Sequence, residues 1–314
     1  FNHLFGSKIC AEIQSMTRDL IKRVVNGASD IFWEIPVQVE LQRKSSPPVD
    51  GRVPRLVSYV TYYCNQLLGC KYRPVLTQIL EIHQGWKQEK YQGELLNSQV
   101  YYTLKEIALN LDSWSKAYHN IALSYLFMTN NHSHFYNLRV TQLGKMMGDS
   151  WITAHEKYRD YYAALYLSES WGKLAAFLNQ QETEAADVAS ARARNIDESV
   201  KRRLKAFNDA FDKMYEQQSS WVISDEILRL NMCQLVVKTL VPAYRTYLQD
   251  CAVLLEEDAG NGKYLRYTDK HIMTMLCSLF QPKLMKQRST KSTHFVGKIK
   301  GLVTNHFHLT LAAP

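Results

Sequence analysis

The sequence predicts an all-α protein built from long helices, and three observations carry that expectation. No proline falls between Pro74 and Pro242, although the chain holds 8; at an average usage of about 5% that stretch would hold about eight. Proline removes a backbone donor and clashes with the preceding turn, so its absence marks segments whose N–H groups are wanted in hydrogen-bond ladders. Apolar spacing decides which ladder. Leu96, Val100, Leu104, Ile107, Leu111, Trp114, Tyr118, Ile121, Tyr125 and Met128 follow one another at intervals of four or three, the period of a helix face. No segment alternates convincingly with the period of a strand. One helix over those positions would run about 50 Å at roughly 1.5 Å per residue, so the molecule is expected to be elongated.

Taken in order, residues 1–34 read as an amphipathic helix through Ile9, Ile13, Met16, Leu20 and Val24. Residues 42–54 hold Pro47, Pro48 and Gly51 and read as a loop. A second helix carries Leu56, Tyr59, Val60, Tyr63, Leu67 and Leu68, and Pro74 opens a third at its first position, where a missing N–H costs nothing. Residues 85–93 are a polar, glycine-bounded loop before the long helix, which Asn130, Asn131, His132 and Ser133 are expected to end. After a break at Gly144 and Gly148, Asp149 or Ser150 caps a helix bearing Trp151, His155, Tyr158, Tyr162, Leu165, Trp171, Leu174 and Leu178. Residues 180–191 are acidic and non-periodic, a surface loop. A helix from Asp197 carries Val200, Leu204, Phe207, Phe211 and Met214 in a narrow stripe. The last long helix covers 227–254, kinked or restarted by Pro242, with a loop at 256–262.

At 314 residues and 46% hydrophobic content the chain has ample material for a core. No apolar run approaches the roughly 18 residues a spanning helix needs; Ser124 and Tyr125 interrupt the nearest candidate, so the chain is not expected to cross a membrane. It starts at Phe1 without a signal pattern and reads as a fragment. Cys10, Cys64, Cys70, Cys233, Cys251 and Cys277 show no close pairing or zinc rhythm and read as buried, reduced thiols.

Catalytic and metal constellations fail at the level of residues. Gly260, Gly262 and Lys263 lack the hydroxyl of a phosphate loop, Arg159 stands where a second zinc ligand after His155 is required, and no Asp-Asp pair offers magnesium diphosphate chemistry. His132 with His134, and His306 with His308, place imidazoles near each other without a carboxylate or thiol cluster. No catalytic residue, cofactor or metal is expected. Charge is more telling: of a formal +8, the six cations Lys283, Lys286, Arg288, Lys291, Lys298 and Lys300 lie after residue 280 with no acid among them. Lys201, Arg202, Arg203 and Lys205 form a second basic cluster, and Lys263, Arg266 and Lys270 a third. Cations gathered at one end of an elongated molecule suit anionic lipid, each contributing about 1 kcal/mol near a membrane surface. Nucleic acid is set aside because no recognition helix, finger or aromatic sheet accompanies them.

Six collinear stretches resemble the seventy-kilodalton subunit family of the exocyst, its plant members above all. They are Ile121 to Asn131; Leu143 to Ile152 with His155; Ser170-Trp171 with Leu174; Arg203 to Phe211 with Gln218 and Trp221; Val241 to Arg245; and Lys263 to Thr268 leading to Leu279-Phe280. The resemblance implies a rod of stacked antiparallel helical bundles: a first at 1–130, a middle one at 131–225, a C-terminal one at 226–280, then a basic extension at 281–314. It implies a C-terminal portion of such a protein, without the N-terminal coiled-coil region. It also implies non-enzymatic tethering of secretory vesicles to the plasma membrane in exocytosis, by a cytoplasmic protein recruited peripherally to those membranes. The implied partners are other exocyst subunits, Rho-type small GTPases and phosphatidylinositol 4,5-bisphosphate, with lipid-binding residues falling on Lys263 and Arg266; Lys270 joins them on charge and spacing. The alternative is a protein-interaction scaffold in plant immunity, met by pathogen effector proteins, with lipid contact incidental.

Overall fold

A computed structural model of the chain describes residues 7–88, 93–179, 189–251 and 265–281. Within them eleven α-helices and two short 3-10 turns occur and no strand. The helices are α1 (Ser7–Leu41), α2 (Arg55–Leu67), α3 (Arg73–Trp86), α4 (Leu95–Lys116), α5 (Ile121–Tyr136), α6 (Gln142–Met147), α7 (Asp149–Glu169), α8 (Trp171–Asn179), α9 (Ala189–Gln218), α10 (Glu226–Asp250) and α11 (Asp269–Cys277). The fold is the expected all-α rod of stacked helical bundles.

Buried side chains gather in two clusters along the chain. The first draws on α1 to α6, with Phe32, Val39, Val57, Leu80, Val100, Ile107, Trp114, Phe127 and Leu143. Polar clamps close it: Asn110, buried in α4, donates through Nδ2 to Val39 O at 2.7 Å, and Arg43 bridges the buried Glu106 while donating from Nε to Asn110 Oδ1 at 3.2 Å. The second cluster joins Leu126, Tyr166, Trp171, Leu204, Phe207, Phe211, Val236, Tyr244, Ile272 and Phe280. α5 serves both, since Leu126 faces one cluster and Phe127 the other.

The loop at 45–54 is wedged at this join. Gly51 takes φ +73°, and a Cβ there would stand 2.8 Å from Leu123 Cδ1, so only glycine fits without strain. Asp50 O accepts from Val222 N at 2.9 Å, and Asn130 Nδ2 reaches both Gly51 O at 2.7 Å and Val222 O at 2.9 Å. Asn130→Ala removes the donor shared by those carbonyls and is expected to cost about 2 to 3 kcal/mol. Urea unfolding reads this directly, and a loss below about 0.5 kcal/mol would show the join does not depend on Asn130.

Several boundaries differ from the sequence reading. The single helix over Leu96 to Met128 is two helices, α4 and α5. At the turn Asn120 accepts from Leu123 N at 3.1 Å as an N-cap, Ser124 Oγ donates to Ser115 O at 2.6 Å, and Tyr118 OH donates to Pro48 O at 2.5 Å. Tyr118 packs against both clusters, so the apolar rhythm passes through the turn without registering it. Asn130, Asn131, His132 and Ser133 do not end α5; they are buried within it, Asn130, His132 and Ser133 bonding sideways and Asn131 back along the helix to Phe127 O. A second break falls at Ser170, whose Oγ donates to Tyr166 O at 2.6 Å and separates α7 from α8. Gly148, at φ +83°, takes the capping position expected of Asp149 or Ser150.

α1 continues past residue 34 to Leu41 with Pro36 inside it, Pro74 opens α3 in its first turn, and α10 runs through Pro242. α9 begins at Ala189, ahead of Asp197 and inside the stretch read as the 180–191 loop. Residues 180–188 of that loop, the loop at 256–262 and the cations after residue 281 lie outside the described residues. Cys10, Cys64, Cys233 and Cys251 are buried, but Cys70 and Cys277 are exposed, because the first sits in the turn after α2 and the second closes α11.

Candidate functional site

The basic end forms where the segment 265–268 and α11 meet α9 and α10. Phe211 and Phe207 bury the apolar stripe of α9, leaving the neighbouring Asp212 turned toward the 265–268 segment. Tyr267 lies down on that surface, its ring 5.3 Å from Phe211; its carbonyl accepts from Tyr244 OH at 2.7 Å and its own hydroxyl donates to Asp212 Oδ1 at 2.5 Å. Burial raises the Tyr267 phenol above its ordinary range, and the bond to Asp212 adds to this. Thr268 then caps α11 by accepting from His271 N at 3.1 Å.

This scaffold presents three cations and two carboxylates. Arg266 is exposed, donates from Nη1 to Asp212 Oδ2 at 2.5 Å and lies over the Tyr267 ring at 5.4 Å. Arg245 donates from Nε and Nη2 to Asp269 Oδ2 at 3.0 and 2.8 Å. That bond, helped by the Lys270 backbone N–H, holds the Asp269 carboxyl below its ordinary value. Lys270 is exposed on the first turn of α11. Each arginine is therefore matched by its own acid, which lowers the field the cations present to an incoming anion.

Arg266 and Lys270 stand four residues apart on either side of Asp269's ion pair with Arg245; Lys263 lies outside the described residues. The cluster at Lys201, Arg202, Arg203 and Lys205 does not join them. It sits near the start of the described side chains of α9, about 15 Å along the helix from Asp212 at roughly 1.5 Å per residue. There Arg202 and Lys205 are exposed while Lys201 and Arg203 are half-buried beside the fully buried Leu204. Cys251, at the end of α10, has its thiol raised by burial, with the charge of Arg203 acting in the opposite direction.

Among the described residues no group of three His, Cys, Asp or Glu side chains gathers to hold a metal, and no helix is long and apolar enough to cross a membrane. His132 and His134 belong to helix α5 and not to an extended segment, and they point to different neighbours. His132 Nδ1 meets His155 Nδ1 at 2.8 Å, whereas His134 Nε2 meets Thr61 Oγ1 at 2.9 Å. Arg245, Asp212 and Asp269 carry no site signal in the sequence. Arg245 closes one of the recognisable motifs, but nothing local shows that Asp212 meets a residue far along the chain.

Fold and site together define a class, an all-α rod of stacked helical bundles that presents a cluster of cations beside α11. Residues 1–278 match the family described as the C-terminal part of the Exo70 exocyst complex subunit, and the chain belongs to that family. It is 29% identical to exocyst complex component EXO70A1 of Arabidopsis thaliana over 290 residues, covering 90% of this chain and 44% of that protein. To EXO70A3 of the same plant it is 27% identical, covering 90% and 47%. The chain thus spans less than half the length of these relatives. Solved structures agree on the fold: a structure of exocyst subunit Exo70p superposes with a TM-score of 0.53 at 13% identity, over 82% of this chain and 53% of that one. A structure of S. cerevisiae Exo70 gives 0.51 at 13% identity, over 80% and 51%.

Proposed function

We propose that this chain acts within a non-enzymatic exocyst subunit that helps tether secretory vesicles to the plasma membrane, and that its basic end contacts a phosphoinositide headgroup there. Family membership supports the tethering role. The observation that supports the lipid contact is that Arg245, through Asp269, stands beside the segment that continues the family motif from Lys263 and carries Arg266 and Lys270. On this reading the protein is cytoplasmic, is drawn peripherally to the membrane, and works with other exocyst subunits and Rho-type small GTPases.

Lys263→Ala combined with Arg266→Ala is expected to weaken binding to phosphoinositide-containing vesicles about tenfold, since each cation near an anionic surface contributes about 1 kcal/mol and Arg266 is already partly neutralised. Cosedimentation measures it, with helical CD as the control for folding; unchanged binding would remove the assignment.

A second reading, a protein-interaction scaffold of the kind a pathogen effector engages, draws on the first half of α1. Ile9, Ile13, Met16, Leu20 and Val24 form one exposed apolar row there. A salt series separates the two, because screening weakens lipid capture by the basic end and spares an apolar contact.

A further inference from the structure

We infer that Asp212 sets the ligand selectivity of the basic end: it holds Arg266 so that a polyphosphorylated headgroup engages the guanidinium and a singly charged one does not. The inference rests on the phosphoinositide reading above. Both oxygens of the Asp212 carboxylate are committed, one to Arg266 Nη1 and the other to the Tyr267 hydroxyl, each at 2.5 Å. The tyrosine is fixed in turn by Tyr244 and Phe211. Asp212 is therefore held from the protein side whether or not Arg266 stays with it. The pair faces solvent, the arginine side chain being 56% exposed and the aspartate 32%.

An incoming anion meets a guanidinium with one of its five donors engaged and a negative charge beside it. A phosphodiester of single charge gains attraction to Arg266 and suffers repulsion from Asp212 at a similar distance, and the two nearly cancel. A phosphomonoester carries about −1.5 to −2 at neutral pH. Clustered phosphomonoesters outcompete the carboxylate for the outward N–H groups and leave a second phosphate for Lys270. The neighbouring pair repeats the arrangement, one Asp269 oxygen accepting from two N–H groups of Arg245. Two arginines each matched by an acid make an end that is nearly silent toward ordinary anionic lipid.

The test measures cosedimentation of the chain with vesicles containing either phosphatidylserine or a bisphosphorylated inositol lipid, matched in total surface charge. Asp212→Asn keeps an oxygen for the Tyr267 hydroxyl and removes the charge. It is expected to raise binding to the serine lipid about fivefold and to the inositol lipid no more than about twofold, so that discrimination shrinks. In an Arg266→Gln background the same substitution is expected to raise binding to both vesicles alike, because only the repulsion from Asp212 is then removed. An equal gain on both vesicles with Arg266 present, or a gain without Arg266 that still favours the serine lipid, would make Asp212 an ordinary surface charge and overturn the inference. Inositol-lipid binding unaffected by Arg266→Gln alone would instead remove the lipid reading. Titration with the soluble inositol polyphosphate separates headgroup from bilayer: binding that Arg266→Gln abolishes supports the inference, and selectivity found only on vesicles assigns it to the bilayer and overturns it. Thermal melting followed by CD confirms that each variant is folded.

Discussion

Trp171→Ala is expected to destabilise the protein by about 4 kcal/mol, at the upper range of large-to-small core changes. The indole is fully buried at the start of α8, where the break at Ser170 turns it into the second cluster. Its Nε1 donates to Gln218 Oε1 and to the Tyr166 hydroxyl, both at 2.9 Å, while that hydroxyl donates to the same Gln218 oxygen. Removing the tryptophan takes its own donor away, so Gln218 keeps Tyr166 as a partner and the polar loss is small. The cost is the cavity beside Phe211, whose ring lies 5.8 Å from the indole. Tyr166→Phe isolates the polar part. It removes one donor from Gln218, leaves the indole N–H in place, and is expected to cost about 1 kcal/mol. Urea unfolding of both variants checks the ranking, and a larger loss for Tyr166→Phe than for Trp171→Ala would show that the network and not the packing dominates.

That site also marks where sequence reasoning stops. Trp171, Leu174 and Leu178 resume the three-and-four spacing that α7 shows up to Leu165, and no proline or glycine falls in the gap between Leu165 and Trp171, so the reading extends one helix across Ser170. The chain instead changes direction there, held by a hydroxyl bonded back to Tyr166. The turn at Asn120 escapes for the same reason. Periodicity reports which residues are apolar and not whether the backbone between them remains helical, and an aromatic such as Tyr118 inside a turn keeps the phase alive. Boundaries set by proline and glycine chemistry were legible at α2, α3 and Gly148, whereas Gly144, read as a break, lies inside α6, and Pro36 and Pro242 lie inside long helices. Polar contacts across the fold were not: Asn130 reads locally as a helix-ending residue, yet its amide crosses to Gly51 and Val222.

The candidate site divides along the same line. Arg266 and Lys270 are legible because clustered charge is visible in one dimension. Their counter-ions are not, since Asp212 reads as one more acid on the polar face of α9. Charge counting along the chain therefore overstates the field at this end, and only the fold shows the two arginines already matched.

Acidification is expected to destabilise the protein from pH 6.5 downward, before ordinary carboxylates begin to titrate, because of two histidines packed between α5 and α7. His132 Nδ1 and His155 Nδ1 lie 2.8 Å apart, so one must carry a proton and the other must not. Tyr162 stacks on His132 at 5.5 Å, Tyr158 at 5.2 Å, and Trp151 and Phe135 enclose His155. Burial lowers His132 from 6.5 to about 4, and burial together with the charge of His132 lowers His155 to about 3. A histidine depressed in the folded state contributes its stability above the unfolded value of 6.5 and loses it as pH falls toward the folded values. Over that span each histidine costs about 1.4 kcal/mol per pH unit, which amounts to several kcal/mol for the pair. His134, also lowered by burial, adds to the same window, whereas Asp225, held low against its burial by the Leu228 N–H and Asn137, acts only below 3.8. Replacing both His132 and His155 by Phe removes the pair without leaving either nitrogen orphaned. Urea midpoints measured across the acid range are expected to fall steeply below pH 6.5 in the wild type and much less in the double variant. Equal slopes for the two proteins would show that some other group governs the acid response.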